Sequence, residues 1–497
     1  MKLSPLVSPS ILFASCNNPL IPITGGVEKL WRSMKTHNAS AFVWGGDAVY
    51  GDRLEIQYRN DSIFPKPKRV EATETRLKYL YSHLLSTNPY YPIPSAYHFG
   101  TVDDHDFGKN NGDKYFSIKS KSASAFVDFV DQSNAGLNVK EDIGRVRAEA
   151  GQGVYGLKVF SYQKNSAPVV YPEEAEGYPS DVPDSNNTVA IFYLDCRSNK
   201  DPWPKGFDFL LQKGLGLDML GETQWNWLEE NLKKSNARVN IILNGLQVLS
   251  QSRVPNGNLA EDWEKFPDSR NRLLNSVLNS GVRAPILLTG DVHMSQLLRV
   301  TCTSLSRNSS SRTLYELTTS GITHSWSTFF SPQAEHRELW YYFYLCFLSR
   351  NFMHLSHLVM PWNEINIDSS TGKMDYSIEL NYAKFDFGEI EEGRVKAQVI
   401  TPAGVAIEKI FDLADIDPIP ANHDENENDY DCVPYRGEVK VLHLLFGYVI
   451  TVGFLILFAF LPVFGMIGGG LYLFWRLSVS AMNIMTITIE RKKHKFE

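Results

Sequence analysis

Several apolar, strand-like runs of this sequence end on residues that can hold a cation or move a proton. Residues 41–44 are apolar, and Gly45-Gly46 then turns the chain into Asp47, with Tyr50 and Arg53 following at three-residue steps. Residues 11–15 end at Cys16-Asn17. A β-prone segment leads into Asp103-Asp104-His105-Asp106-Phe107-Gly108-Lys109-Asn110-Asn111. Residues 239–243 end at Asn244, three residues before Gln247. Residues 285–289 end at Gly290-Asp291-Val292-His293, and residues 314–318 at Thr319-Ser320-Gly321-Ile322-Thr323-His324. In α/β proteins chemistry sits at the carboxyl ends of strands. Each residue also has an ordinary reading. Asp47 could cap a helix, Cys16 could be a small buried hydrophobe, the acidic run could be a solvated loop, and Arg53 could form a surface ion pair.

Two metal ions roughly 3.5–4 Å apart can clamp a phosphate ester and ionise a water for in-line attack. Such a site needs a bridging carboxylate, terminal ligands and a group beside the leaving oxygen. Asp47 fits the bridge. Asp104 or Asn110 fits an oxygen ligand of the second metal, and Asp291 and His293 fit terminal ligands. His105 fits the acid or charge stabiliser, because imidazole titrates near neutral pH. Arg53, Asn244 and Gln247 are candidates for holding the substrate.

The elements that must position these residues follow from the pattern. A helix over 27–36 between strands 11–15 and 41–44 predicts two adjacent parallel strands, with Cys16 and Asp47 as neighbours. Helices are expected over 70–86, from Thr223, and over 269–280. Residues 375–413 read as strands of a returning second sheet. Residues 413–440 read as an acidic, flexible stalk that closes a domain spanning 1–412.

The 497 residues are 43% apolar and 21% charged, as in a globular protein, and the net charge of −7 argues against a nucleic-acid partner. The five cysteines include no CxxC pair, so neither a zinc finger nor a disulfide framework is expected. Residues 441–475 contain no Asp, Glu, Lys or Arg, and 442–464 are long enough to cross ~30 Å of hydrocarbon. This predicts a transmembrane helix in the lipid bilayer, with Pro462 and Gly468-Gly469-Gly470 kinking or ending it. The basic tail, 476–497, belongs in the cytosol by the positive-inside rule. The catalytic domain is then lumenal or extracellular, as glycosylation sequons at Asn38, Asn60, Asn186 and Asn308 would allow. A tail anchor with a cytosolic enzyme is the alternative.

Phe13-Ala14-Ser15-Cys16, Gly46-Asp47-Ala48-Val49-Tyr50, Asp103-Asp104-His105-Asp106-Phe107-Gly108, Leu194-Asp195-Cys196-Arg197, Glu261-Asp262-Trp263, Gly290-Asp291-Val292-His293 and Thr319-Ser320-Gly321 occur in an order that resembles the alkaline phosphatase D (PhoD-like) family of metallophosphoesterases. The resemblance implies an α/β fold, a four-layer α/β/β/α sandwich, and a dinuclear site. It also implies Fe3+ held partly by a thiolate and a phenolate, which map onto Cys16 and Tyr50, beside Ca2+. It favours 11–15 as the first core strand over a leader peptide. The sequence departs from the family pattern at Asn110-Asn111, where an Asn-Asp pair is usual. The expected activity is metal-dependent hydrolysis of phosphate monoesters or diesters; the competing reading is a non-catalytic membrane receptor or scaffold on the same fold.

Overall fold

The computed structural model describes residues 3, 7–57, 66–94, 96–137, 143–163, 166–175, 177–203, 216–250, 261–305, 311–328, 375–417 and 429–434, with isolated positions between 449 and 476. Two sheets form the body. In the first, β1 (Ser8–Ala14), β2 (Ala39–Gly45) and β5 (Tyr97–Thr101) run parallel. A hairpin, β3 (Arg53–Gln57) with β4 (Lys66–Val70), stands apart. In the second sheet β6 (Gly156–Ser161) and β7 (Val169–Pro172) form an antiparallel edge. The parallel centre comprises β8 (Thr188–Tyr193), β9 (Val239–Leu243), β10 (Pro285–Thr289) and β12 (Ser311–Thr318). Beyond it, β11 (Ser295–Ser304) pairs antiparallel with β12 and with β13 (Tyr376–Ser377).

The central strands are largely apolar and mostly buried, because both of their faces are covered. Ile11 and Phe13 of β1 join Val189 and Ile191 of β8 and Ile241 of β9 in one cluster between the sheets. Leu12 and Ala14, on the other face of β1, pack with helix α1 (Gly25–Thr36), α2 (Glu74–Thr87) and, further along the chain, α4 (Lys119–Ser133). Between α2 and α4 lies the short α3 (Asp104–Phe107). Ala190 and Phe192, on the other face of β8, pack with α6 (Glu222–Lys234) and α7 (Pro267–Asn279), which follow α5 (Ile143–Glu149). Helix α1 presents Val27, Leu30, Trp31 and Met34 inward at three- and four-residue steps. Trp31 stacks on Phe42 with centroids 6.0 Å apart.

Three expectations change. First, β14 (Tyr382–Asp386), β15 (Arg394–Thr401) and β16 (Gly404–Asp412) do not return to the second sheet; they extend the first, with β14 antiparallel to β1. The alternating pattern of this region specifies strands but not the sheet they join. Second, a disulfide is present: Cys302 on β11 bonds Cys432 on β17 (Tyr430–Pro434), 130 residues away. Antiparallel pairing brings these two cysteines opposite each other, which no local spacing announces. Strand β17 lies within the predicted 413–440 stalk, as does a short helix over Leu413–Ile416 whose Leu413 and Ile416 reach the inter-sheet core. Third, among the described residues no helix is long and apolar enough to cross a membrane. This corrects the expected transmembrane helix, the single-pass membrane location and the bilayer as a partner. Within 441–475 few positions are described, and the expectation of a span there rests on composition alone. The remaining residues of 441–475 and the tail from 477 lie outside the described residues.

Candidate metal centre

Strand register brings the polar ends together. Ala14 is paired with Trp44, and Gly45 with Thr101, so the chain after β1, β2 and β5 emerges on one line. The ends of β9, β10 and β12 meet it from the other sheet. Gly290 donates its N–H to the Gly245 carbonyl, and Gly321 donates to the Ser15 carbonyl. Gly46 has φ +91°, and a Cβ there would sit 2.4 Å from the Asp103 Cβ. A Cβ on Gly245 would lie 2.8 Å from the Asp103 carboxyl carbon. Bare backbone from both sheets therefore flanks one carboxylate.

Cys16, Asp47, Asp291 and His293 all have positive φ, at 56°, 53°, 66° and 55°. Left-handed backbone at a non-glycine residue costs roughly 1–3 kcal/mol and persists where the surroundings over-determine it. Here it falls on four residues that the sequence singles out as ligands.

Oxygens of Asp47, Asp103, Asp104 and Asp291 lie within 4.8 Å of one another, and Asp47, Asp104 and His105 form an overlapping group. The Cys16 Sγ is 3.6 Å from Asp47 Oδ2 and receives a hydrogen bond from Ser320 Oγ at 3.0 Å. The Tyr50 ring stacks on His105 at 4.0 Å between centroids. His105 anchors Nδ1 on Asp52 Oδ1 at 2.5 Å, which leaves Nε2 3.9 Å from Asp104 Oδ1. Its backbone N–H donates to Asp47 Oδ1 at 3.0 Å. Asp106 accepts from the backbone of Asp103 and Ala48, tying the two acidic loops together.

Burial and mutual repulsion dominate the electrostatics of the cluster. Burial pushes Asp47 well above the carboxylate range, and Asp104 and Asp103 add to the push against His105. Asp291 is raised by burial, then by Asp103 and Asp104. Burial and Asp104 lift Asp103 to about 7, against the pull of Arg197. Burial raises both the Cys16 thiol and the Tyr50 phenol, with Asp47 reinforcing each. Burial opposes a charge on His105, but Asp104, Asp47 and Asp52 overcome it and raise the group to about 10. Burial, aided by His105, drops His293 to about 4, so its ring is neutral and ligand-competent at neutral pH. Asp104 Oδ1 and Asp103 Oδ2 are buried without a hydrogen-bond partner. Crowded carboxylates with orphaned oxygens, beside a neutral imidazole and a thiol, fit metal ions.

The remaining candidates are less central. Asn110 is turned onto Asn111, whose backbone N–H donates to Asp104 Oδ2 at 2.8 Å. Asn244 spends Oδ1 on Trp263 and Leu246 and leaves Nδ2 buried without a partner. Gln247 donates to Thr318 at 2.9 Å. Arg53 is exposed at the start of the β3 hairpin.

Sequence reasoning gave no role to Asp52, Asp103, Arg197, Glu261 or Asn381. Asp103 bonds Arg197 Nε and Nη2, both at 2.5 Å, and Arg197, fully buried, continues to Glu261. Asn381 brackets Ser320 by accepting from its N–H at 3.0 Å and donating to its carbonyl at 2.7 Å. Asp103 stands in the acidic run already noted, whose density was the available signal, whereas Asp52 lies between Tyr50 and Arg53 with no such signal.

Residues 186–338 match the family model of PhoD-like phosphatases. A solved structure of PhoD resembles the chain at 13% identity and a TM-score of 0.45, over 92% of this chain and 79% of that one. No curated protein matches.

Proposed function

We propose, from the PhoD-like phosphatase assignment that the match over 186–338 supports, that this chain hydrolyses phosphate esters at a dinuclear metal site. The observation that carries the reading is the convergence of Asp47, Asp103, Asp104 and Asp291 from both sheets to within 4.8 Å. Asp47 would serve both ions. Cys16, Tyr50 and Asp291 would hold Fe3+ with it, since thiolate and phenolate are electron-rich donors, and His293 would supply a further ligand. Asp104 and Asn110 offer the oxygen donors that Ca2+ prefers. Bound there, the metals would polarise the phosphate and supply an ionised water.

The chain's own groups divide the remaining work. His105 is fixed through Nδ1 by Asp52, so Nε2 is the ring nitrogen left to face the site. We assign Nε2 as the proton donor for the leaving oxygen. Asn244 Nδ2 is a buried donor suited to a phosphoryl oxygen, with Gln247 beside it as a further candidate. Arg53, exposed at the rim, is suited to attracting the anionic substrate. The test is elemental analysis of the purified chain together with hydrolysis of a nitrophenyl phosphate and a bis-nitrophenyl phosphate. Iron and calcium with turnover of either ester is the expected result. A metal-free chain that hydrolyses neither would leave a non-catalytic role.

A further inference from the structure

His324 has no part in the ligand set above, yet it is built into the same wall. Its Nε2 lies 2.9 Å from the Tyr50 hydroxyl, and its Nδ1 is 3.0 Å from Thr323 Oγ1. The ring meets Tyr50 edge-on at 4.8 Å and His293 at 4.5 Å between centroids. The turn carrying it is pinned from three sides. Gly321 and Ile322 donate to the Ser15 carbonyl, and Trp326 donates to the His293 carbonyl at 3.1 Å. Thr323 Oγ1 accepts from Asn18 N–H at 2.8 Å and reaches the Cys16 carbonyl at 3.3 Å. His324 is thus held by the strand end that carries Cys16 and by the loop that carries His293.

We propose that His324 is a positioning residue for Tyr50, fixing the phenol oxygen beside Cys16 and Asp47. This rests on the metal-site reading above. Tyr50 sits in a loop after β2 with its hydroxyl at the Cys16 thiol, and a phenol turns about two side-chain bonds. The stack on His105 restrains the ring plane, and the bond to His324 restrains the direction of the oxygen. Partners of this kind are worth about 10–100-fold in metal affinity.

The test uses the full chain loaded with ferric citrate and challenged with EDTA, for wild type, His324→Ala, His324→Gln, Tyr50→Phe and the double variant His324→Ala/Tyr50→Phe. If His324 acts through Tyr50, His324→Ala loses iron about 10-fold more readily and shifts the visible phenolate-to-iron band. His324→Gln, which can still hydrogen-bond the phenol, recovers most of the retention. In the Tyr50→Phe background, where the band is gone, His324→Ala adds no further loss. Melting of the metal-free variants separates misfolding from loss of positioning. An equal loss of iron with and without the Tyr50 hydroxyl, or full retention and an unmoved band in His324→Ala, overturns the role of His324 alone. A wild-type chain that takes up no iron overturns the ferric assignment and this inference with it.

Discussion

Two sets of buried carboxylates, on or just beyond the central strands, have opposite surroundings. Asp195, just after β8, accepts from the N–H groups of Val154, Arg197 and Ser198 and from the Ser198 hydroxyl, all at 2.7–2.8 Å. Glu316, on β12, is likewise filled by Thr289 Oγ1 at 2.6 Å and by the N–H groups of Val248 and Leu249. Asp47 receives one backbone N–H and a long contact from a thiol, and Asp104 Oδ1 receives no hydrogen bond, with His105 Nε2 3.9 Å away. The first set is a keystone: its oxygens are filled by loop backbone and hydroxyl donors. The second is a deficit, with charges gathered and left short of donors. A carboxylate at a strand end is therefore not evidence of a ligand until its donors have been counted.

The sharpest way to break this contrast is Asp47→Asn. Activity should fall by about 10³-fold or more, because a neutral amide cannot bridge two cations; initial rates on an aryl phosphate read this out. The same change should stabilise the metal-free chain at neutral pH by about 1 kcal/mol, seen as a raised melting temperature. The sign follows from the direction of the shift. Asp47 has its folded pKa raised above the unfolded value, so its contribution is complete at acid pH and is lost as pH rises through the folded value. Asp195→Ala should do the reverse. It leaves three backbone N–H groups unpaired and should cost about 3 kcal/mol of stability in chemical denaturation, while metal content per folded molecule stays near wild type. If both variants shift stability in the same direction, the distinction between keystone and deficit fails.

His105→Ala refines the deficit side. Removing a donor at the leaving group should slow alkyl phosphates by about 10²-fold and nitrophenyl esters far less, as ester-dependent kcat would show. A smaller effect concerns a buried group far from any proposed ligand. His98 donates Nε2–H to the Ile93 carbonyl at 3.2 Å, and burial lowers it to about 4. The unfolded chain takes up a proton near pH 6.5 and the folded chain does not, so stability should fall on acidification below that point, by about 1.4 kcal/mol per pH unit. His98→Gln should flatten that slope in denaturation series run between pH 8 and pH 5.

Much of the positioning frame was legible. Residues 11–15 and 41–44 fall on β1 and β2, displaced by a few residues, because a strand covered on both faces must be apolar throughout. Their parallel order followed from the helix between them. The sequence also pointed to Cys16, Asp47, Asp104, His105, Asp291 and His293, and the fold gathers all of them. The Arg197–Glu261 pair joins positions 64 residues apart with no periodic signal. The choice between Asp103 and Asp104 depends on α3 starting at Asp104 with Asp103 as its N-cap, a boundary finer than pattern reading resolves. The expectation at 441–475 rested on hydropathy, which reports transfer to an apolar phase and not helix length, and no described helix meets both conditions.

The bond between Cys302 and Cys432 changes what a break in the chain means. It closes a covalent ring across a sequence separation of 130, which contains β12, the His324 turn and the strands β13 to β16. A single protease cut anywhere in that ring severs the backbone without separating the pieces. Such a nicked molecule would migrate as one species under non-reducing conditions and as two once thiol is added. Mass loss on a gel would therefore under-report cleavage of the arc that joins the two sheets.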